Sequence, residues 1–285
     1  MTSAMGMTSP SAAQASGANQ LDTDKVFAGP VPQLYDRHLG PVLFQAFADA
    51  IAERIREADR AILETAAGTG IVTRAISTAV PQSTILATDL NQAMLDVAAE
   101  KTQGGNLKWQ QADAQSLPFE ANSFDVVVCS FGIMFMPDKQ AAYREARRVL
   151  RSNGRFIFTV WDRIEANPLL HISDETVAGL FPEDPPHFLA RTPCGYTDKA
   201  RIEQELREAG FTFIDIEEVQ RGSDVSSAQE PAMGLCQGTP LRGEIEACDR
   251  DGLIRATNAV AAVMRERFGD GPFRAPLQAL LVTAS

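Results

Sequence analysis

Glu64, Ala66, Gly68 and Gly70, each one residue apart from the next, follow the apolar pair Ile62-Leu63, and Asp89 closes the next apolar run, 84–88. These residue types at this spacing suit a nucleoside. Small residues let a turning backbone approach a ligand closely, and a helix opening at Ile71 would present its unpaired N–H groups there. Asp89 has two carboxylate oxygens with which to accept both hydroxyls of a ribose. The loop does not match the Gly-x-Gly-x-x-Gly fingerprint that seats a pyrophosphate on a helix N-terminus. An acid at its front, Glu64, would repel a phosphate and favour a cation. A positively charged nucleoside therefore fits better than a dinucleotide.

S-adenosylmethionine is such a nucleoside, and at these residues the chain resembles the class I S-adenosylmethionine-dependent methyltransferases. Their first motif reads Glu/Asp-x-Gly-x-Gly-x-Gly, and their second is an acid ending the next strand. Ala66 stands at the first glycine, the one visible departure. The segment Gln111-Ala112-Asp113-Ala114-Gln115-Ser116-Leu117-Pro118-Phe119 is similar to the family's Asp-Ala-x-x-Leu-Pro-Phe element. The likeness implies that Asp113 takes the adenine amino group and that the Ala114 N–H meets a ring nitrogen. It implies too that Ser130, near the end of a fourth strand at 123–131, faces the methionine part. Tyr35, before the first helix, is implied to lie over that same end, and Leu90 beside Asp89 completes the cofactor set. The stretch 144–158 resembles the family's helix, glycine turn and fifth strand. Within the family the likeness is to the ubiquinone/menaquinone-biosynthesis type. It implies S-adenosylmethionine as cofactor, S-adenosylhomocysteine as product and a small-molecule acceptor in cofactor or secondary-metabolite biosynthesis, with the acceptor atom open.

Apolar strand-like runs alternate with helical spacing along the chain, which argues for a doubly wound α/β fold with a parallel sheet. A helix is expected at 41–58, then strands at 61–65, 84–88, 107–110, 123–131 and 155–161, with helices between them and a cap at Asn91. A helix at 198–209 ends at Gly210, and a sixth strand is expected at 211–219. With the resemblance, the whole reads as a Rossmann-like seven-stranded sheet whose last strand, 277–283, returns antiparallel at the sheet edge. Two insertions, 162–196 after strand 5 and a helical 226–272 after strand 6, are expected to form a lid and substrate wall. Residues 1–24, rich in Ala, Ser, Gly and Thr, read as a disordered tail before a single methyltransferase domain, 25–285.

A net charge of −11 without a Lys/Arg-rich run makes nucleic acid an unfavourable partner. Four cysteines without a C-x-x-C point to a reducing cytoplasm. The longest apolar stretch, 126–136, is shorter than the ~20 residues of a membrane helix, so no membrane association is expected.

Methyl transfer from a sulfonium is a displacement at an already activated carbon, where alignment alone contributes ~7–11 kcal/mol. A base is needed only for a protonated phenol, amine or carbon acid. His171 and His187 in the first insertion are candidate bases, with a surface or structural role as the alternative. Phe131, Met134, Phe135 and Met136 after strand 4, with Trp161 at the end of strand 5, are candidates for an apolar acceptor wall or for core. Arg242, near Cys236, Gln237 and Thr239, could pair with an acceptor carboxylate. No His, Cys, Asp and Glu set has metal-ligand spacing, so no metal is expected. Two rival readings remain. A nicotinamide-binding oxidoreductase is opposed by the missing third glycine and the lack of a Tyr-x-x-x-Lys. A non-catalytic nucleoside-binding protein of the same fold is opposed by the set Glu64, Gly68, Gly70, Asp89 and Asp113.

Overall fold

The computed structural model describes Asp24, 27–102 and 104–285. A short helix, α1 (Val31–Leu34), passes through a π-helical stretch (Tyr35–Phe44) into α2 (Gln45–Ala52). Next come β1 (Ala61–Glu64), α3 (Ile71–Ala79), β2 (Thr84–Asp89), α4 (Gln92–Lys101), β3 (Leu107–Gln111), β4 (Phe124–Ser130), α5 (Lys139–Val149) and β5 (Leu150–Trp161). The second half runs α6 (Pro168–Leu180), α7 (Phe188–Arg191), α8 (Lys199–Glu208), β6 (Ile214–Val225), α9 (Gln229–Gln237), α10 (Leu241–Cys248), α11 (Gly252–Phe268) and β7 (Phe273–Ala284).

The seven strands form one sheet in the order β3-β2-β1-β4-β5-β7-β6. β1 through β5 pair in parallel, and β7 is antiparallel to both β5 and β6. The parallel part follows from its composition: Val126-Val127-Val128-Cys129 of β4 is fully buried, as a strand covered by helices on both faces must be. From β1 the chain winds outward to β2 and β3 on one side and to β4 and β5 on the other. A crevice is left beyond the carboxyl ends of β1 and β4, where open α/β sheets bind ligands. Because β7 reverses direction, β6 runs parallel to β5, and both insertions leave the sheet at that same carboxyl edge.

Several boundaries differ from expectation. The first helix starts at Val31, not at residue 41, and ends at Ala52. Pro41 has no N–H to give and its ring crowds the preceding turn; the wider π-helical turns around it accommodate both defects. Beyond Ala52 the charged run 53–60 is tied down instead by Arg155, which donates to the Arg54 carbonyl at 3.0 Å and to Asp59 at 2.5 Å. Strand 5 begins at Leu150, and its register against β4 jumps from Phe124↔Leu150 to Val126↔Arg155. Strand 6 spans Ile214–Val225, because all twelve of its residues pair with β7 while Phe211 is buried in the turn before it. β7 is therefore interior and β6 is the edge.

The tail expected at 1–24 lies outside the described residues except for its last member. Asp24 is buried and accepts from Arg191 Nη2 at 2.9 Å and from the Thr192 hydroxyl.

Candidate active site

The loop after β1 turns because Ala66 (φ 52°), Gly68 (φ 55°) and Gly70 (φ 77°) all occupy the left-handed region. Two of the three are glycines, for which this is free; Ala66 holds it at a strain of roughly 1–2 kcal/mol. Room for the Ala66 methyl comes from across the crevice. A Cβ on Gly132 would lie 2.5 Å from the Ala66 Cβ and 2.8 Å from the Cys129 Sγ, so the two positions compete for space beside that sulfur. Gly70 serves packing rather than the cleft: a Cβ there would strike the Trp109 ring at 2.7 Å. It opens α3, and the cleft is lined by Ala66 and Gly68 without it.

Glu64 also departs from its expected role. It is buried, its Oε2 accepts the Thr73 hydroxyl at 2.6 Å, and it does not line the cleft. Burial pushes its pKa up to about 8, against the opposing bond from Thr73. Burial thus disfavours its charge, and its bond to Thr73 pins α3 to β1.

Asp89, at the end of β2, lines the cleft. Its Oδ2 accepts the Gly68 N–H at 2.8 Å and its Oδ1 accepts the Asn91 N–H at 2.8 Å. Burial raises its pKa despite these bonds, meaning the anion is short of donors as it stands. Oδ2 retains a lone-pair direction for one more hydrogen bond, while Oδ1 also receives the Asn91 Nδ2 at 3.5 Å, a contact weak enough for a ribose hydroxyl to replace. Gly68 lines the cleft beside Asp89, and a Cβ there would stand 3.4 Å from the Met94 methyl. Asp113 and Ala114 follow β3 and line the next part of the wall, and the Ala114 N–H has no hydrogen-bond acceptor among the described residues. Leu90, nearly half exposed, forms the lip between them.

The π-helical stretch covers this floor. Tyr35, Leu39 and Leu43 face the cleft together with Phe44, which stacks on Tyr35 at 4.9 Å. Burial drives the Tyr35 phenol pKa far up, so it stays protonated. Asp36 anchors the cover to the nucleoside half through Lys101 of α4 and, at 3.6 Å, Arg74 of α3. On its other side the cover meets α9 almost backbone to backbone. A Cβ on Gly234 would fall 2.4 Å from the Leu39 Cδ2, and one on Gly238 2.9 Å from the Tyr35 nitrogen.

The far half of the cleft is apolar. Ser130 ends β4 with its Oγ 3.1 Å from the Thr159 hydroxyl, and Phe131 follows with φ 50°. That strained residue is held by its N–H to the Thr159 carbonyl at 3.0 Å and by stacking on Trp161 at 4.2 Å. Phe135 and Met136 continue the wall, Leu170, Phe188 and Leu189 reach in from the first insertion, and Leu235 and Thr239 from the second. The whole cleft measures about 1100 Å³ counting its open mouth. Among the described residues lining it, Tyr35, Asp89 and Asp113 are the titratable ones.

Besides Glu64 and Gly70, four expected residues are not brought to this cleft. His187 Nδ1 sits 2.8 Å from Asp174, a link that fixes the start of α7. His171 lies elsewhere on α6, Met134 is buried in the core, and Arg242 pairs with Glu246 at 2.9 Å on its own helix. Sequence reasoning missed Phe27, Leu39, Leu43, Asn91, Met94 and Gln115. A signal existed for two of them, since Tyr35, Leu39 and Leu43 recur every four residues. No group of three or more metal-ligating side chains occurs among the described residues, and no described helix is long and apolar enough to cross a membrane.

A family model described as a methyltransferase domain matches residues 63–158. The demethylmenaquinone methyltransferase of Lactobacillus johnsonii is 30% identical over 175 residues, which is 56% of this chain and 71% of that protein. The chain belongs to the class I S-adenosylmethionine-dependent methyltransferase family. The ubiquinone/menaquinone biosynthesis C-methyltransferase UbiE of Idiomarina loihiensis is 29% identical over 56% of this chain and 70% of its own length. A solved methyltransferase from an antibiotic biosynthesis pathway of Anabaena variabilis matches with TM-score 0.58 at 14% identity, over 86% of this chain and 99% of that one. The [4+2]-cyclase SpnF matches with TM-score 0.55 at 20% identity, over 98% and 97%. These structures share the fold. The methyltransferase uses S-adenosylmethionine as its methyl donor, and the rival oxidoreductase reading is set aside.

Proposed function

We propose that this methyltransferase acts on a flat, apolar small molecule of quinol type, in the biosynthesis of a cofactor or secondary metabolite. The observation that carries the reading is the far half of the cleft, where the Phe131–Trp161 stack and the surrounding aliphatic side chains offer no charged partner. An ionic acceptor would lose its hydration there without compensation. The names of the Lactobacillus johnsonii and Idiomarina loihiensis relatives, which concern menaquinone and ubiquinone, agree with such an acceptor. The unpaired thiols of Cys129, Cys194, Cys236 and Cys248 suit a reducing compartment, the cytoplasm.

When bound, S-adenosylmethionine supplies a methyl carbon activated by the adjoining positive sulfur. Asp89 accepts the two ribose hydroxyls, while Asp113 and the Ala114 N–H take the edge of the adenine. Tyr35 and Ser130 flank the methionine end, and the π-helical cover excludes water from the transfer. With no histidine, lysine or glutamate among the described lining residues, the acceptor enters neutral and supplies its own electron-rich nucleophile. A panel of labelled-methyl assays tests this. Hydroquinones bearing an apolar side chain should be methylated. Turnover of a charged amine or carboxylate in preference to them would refute the reading.

A further inference from the structure

Gln115 is held at both ends. Its backbone N–H donates to Asp113 Oδ1 at 2.8 Å, and its side-chain Nε2 donates to the same oxygen at 3.1 Å, with a longer contact of 3.4 Å to Oδ2. At the other end its Oε1 accepts the Asp138 N–H at 2.9 Å. A carboxylate only accepts and a backbone N–H only donates, so these partners fix the orientation of the amide. Asp138 is itself immobilised, because its Oδ1 caps α5 by accepting the Ala141 N–H at 2.9 Å. Gln115 thus braces Asp113 against the start of a helix. Two donors occupy Asp113 Oδ1, and Oδ2 has only the distant one.

We propose that Gln115 is the positioning residue for base recognition, fixing the Asp113 carboxylate so that Oδ2 meets the amino group of a purine beside the Ala114 N–H. The proposal rests on the assignment of Asp113 and Ala114 to the adenine. An adenine presents a donor to Oδ2 and an accepting ring nitrogen to Ala114. Hypoxanthine reverses both: its carbonyl oxygen faces the carboxylate and its ring N–H faces the backbone N–H. A braced carboxylate cannot turn away from that mismatch, whereas a loose one can. Gln115 therefore governs the ratio between the two bases and not affinity alone.

The test is calorimetry with S-adenosylhomocysteine and with S-inosylhomocysteine, its hypoxanthine analogue, on the wild type, Gln115→Leu, Gln115→Glu and Asp113→Ala. Glu keeps an oxygen for the Asp138 N–H but loses the donor to Asp113, which separates the two ends of the brace. Wild type should prefer the adenine ligand. Both Gln115 variants should lower that preference about tenfold, the worth of one hydrogen bond to a charged group. Equal losses for both ligands, or a change in Gln115→Leu that Gln115→Glu does not share, would make Gln115 a loop anchor only and overturn the proposal. Loss of preference in Asp113→Ala alone would overturn it while leaving the adenine assignment standing. A wild type that binds neither ligand would overturn both.

Discussion

Asp89→Asn should weaken ligand binding far more than it changes the stability of the fold. The carboxylate is expected to accept two ribose hydroxyls, and a hydrogen bond to a charged group contributes about 1.5–3 kcal/mol. The amide keeps one neutral acceptor, worth about 0.5–1.5 kcal/mol. The difference is roughly 2–5 kcal/mol, a 30- to 5,000-fold weaker complex with S-adenosylhomocysteine. Stability follows different physics. Burial raises the pKa of Asp89 even though Gly68 and Asn91 donate to it, so in the ligand-free protein the ionised form is disfavoured relative to a neutral group of the same shape. An acid with a raised folded-state pKa stabilises most below its unfolded pKa and loses that contribution as pH rises toward the folded value. At pH 7 the amide removes that disfavoured charge, but its NH2 then faces the Gly68 or the Asn91 N–H, donor against donor, so the two effects offset and the unfolding free energy should change by about 1 kcal/mol or less. Calorimetry gives the first quantity and urea unfolding of the ligand-free protein the second. Unchanged affinity would remove Asp89 from the ribose, and a loss of fold stability as large as the loss of affinity would refute the offset between charge and hydrogen bond.

Ala66 and Gly132 compete for space beside the Cys129 sulfur, so their substitutions should couple. Gly132→Ala should destabilise by about 1–3 kcal/mol through overpacking, and adding Ala66→Gly should restore part of that loss; strictly additive effects in urea would contradict the shared-space geometry. Glu64, with a folded pKa of about 8 against an ordinary 4.5, should contribute stability that is complete below pH 4.5 and lost as pH rises to about 8. Glu64→Gln should flatten that decline in unfolding measurements, and an identical pH profile would mean Glu64 is ionised in the fold. Because Gly234 and Gly238 bring α9 against the cover, S-adenosylhomocysteine should slow amide exchange over 31–44 and 229–239 together, and protection confined to 31–44 would show that the two move independently.

The sequence by itself determined the nucleoside half of this protein. Residues 61–89 are local: an apolar run must be a strand, left-handed turn positions want glycine, and an acid at the next strand end falls beside the turn whatever surrounds them. Asp89 and Gly68 could accordingly be named, Asp113 was implied by the resemblance of its segment to a family motif, and the alternation of strands with helices implied the doubly wound sheet. What the tertiary structure decided depends on partners distant in the chain. Glu64 reads as a charge for the ligand, but enclosure beside Thr73 removes the water that would keep it ionised. Gly70 reads as part of the cradle, but Trp109 from β3 occupies the space its side chain would need. His187 and Arg242 carry suitable chemistry, yet Asp174 and Glu246 hold them outside the cleft. The far wall could not be foreseen in full, because Leu170, Phe188, Leu189 and Leu235 become neighbours only when two insertions fold back over one sheet edge. Spacing reports what a few adjacent residues must do; which side chains face one another across a cleft is set by long-range packing, and that has no period in the sequence.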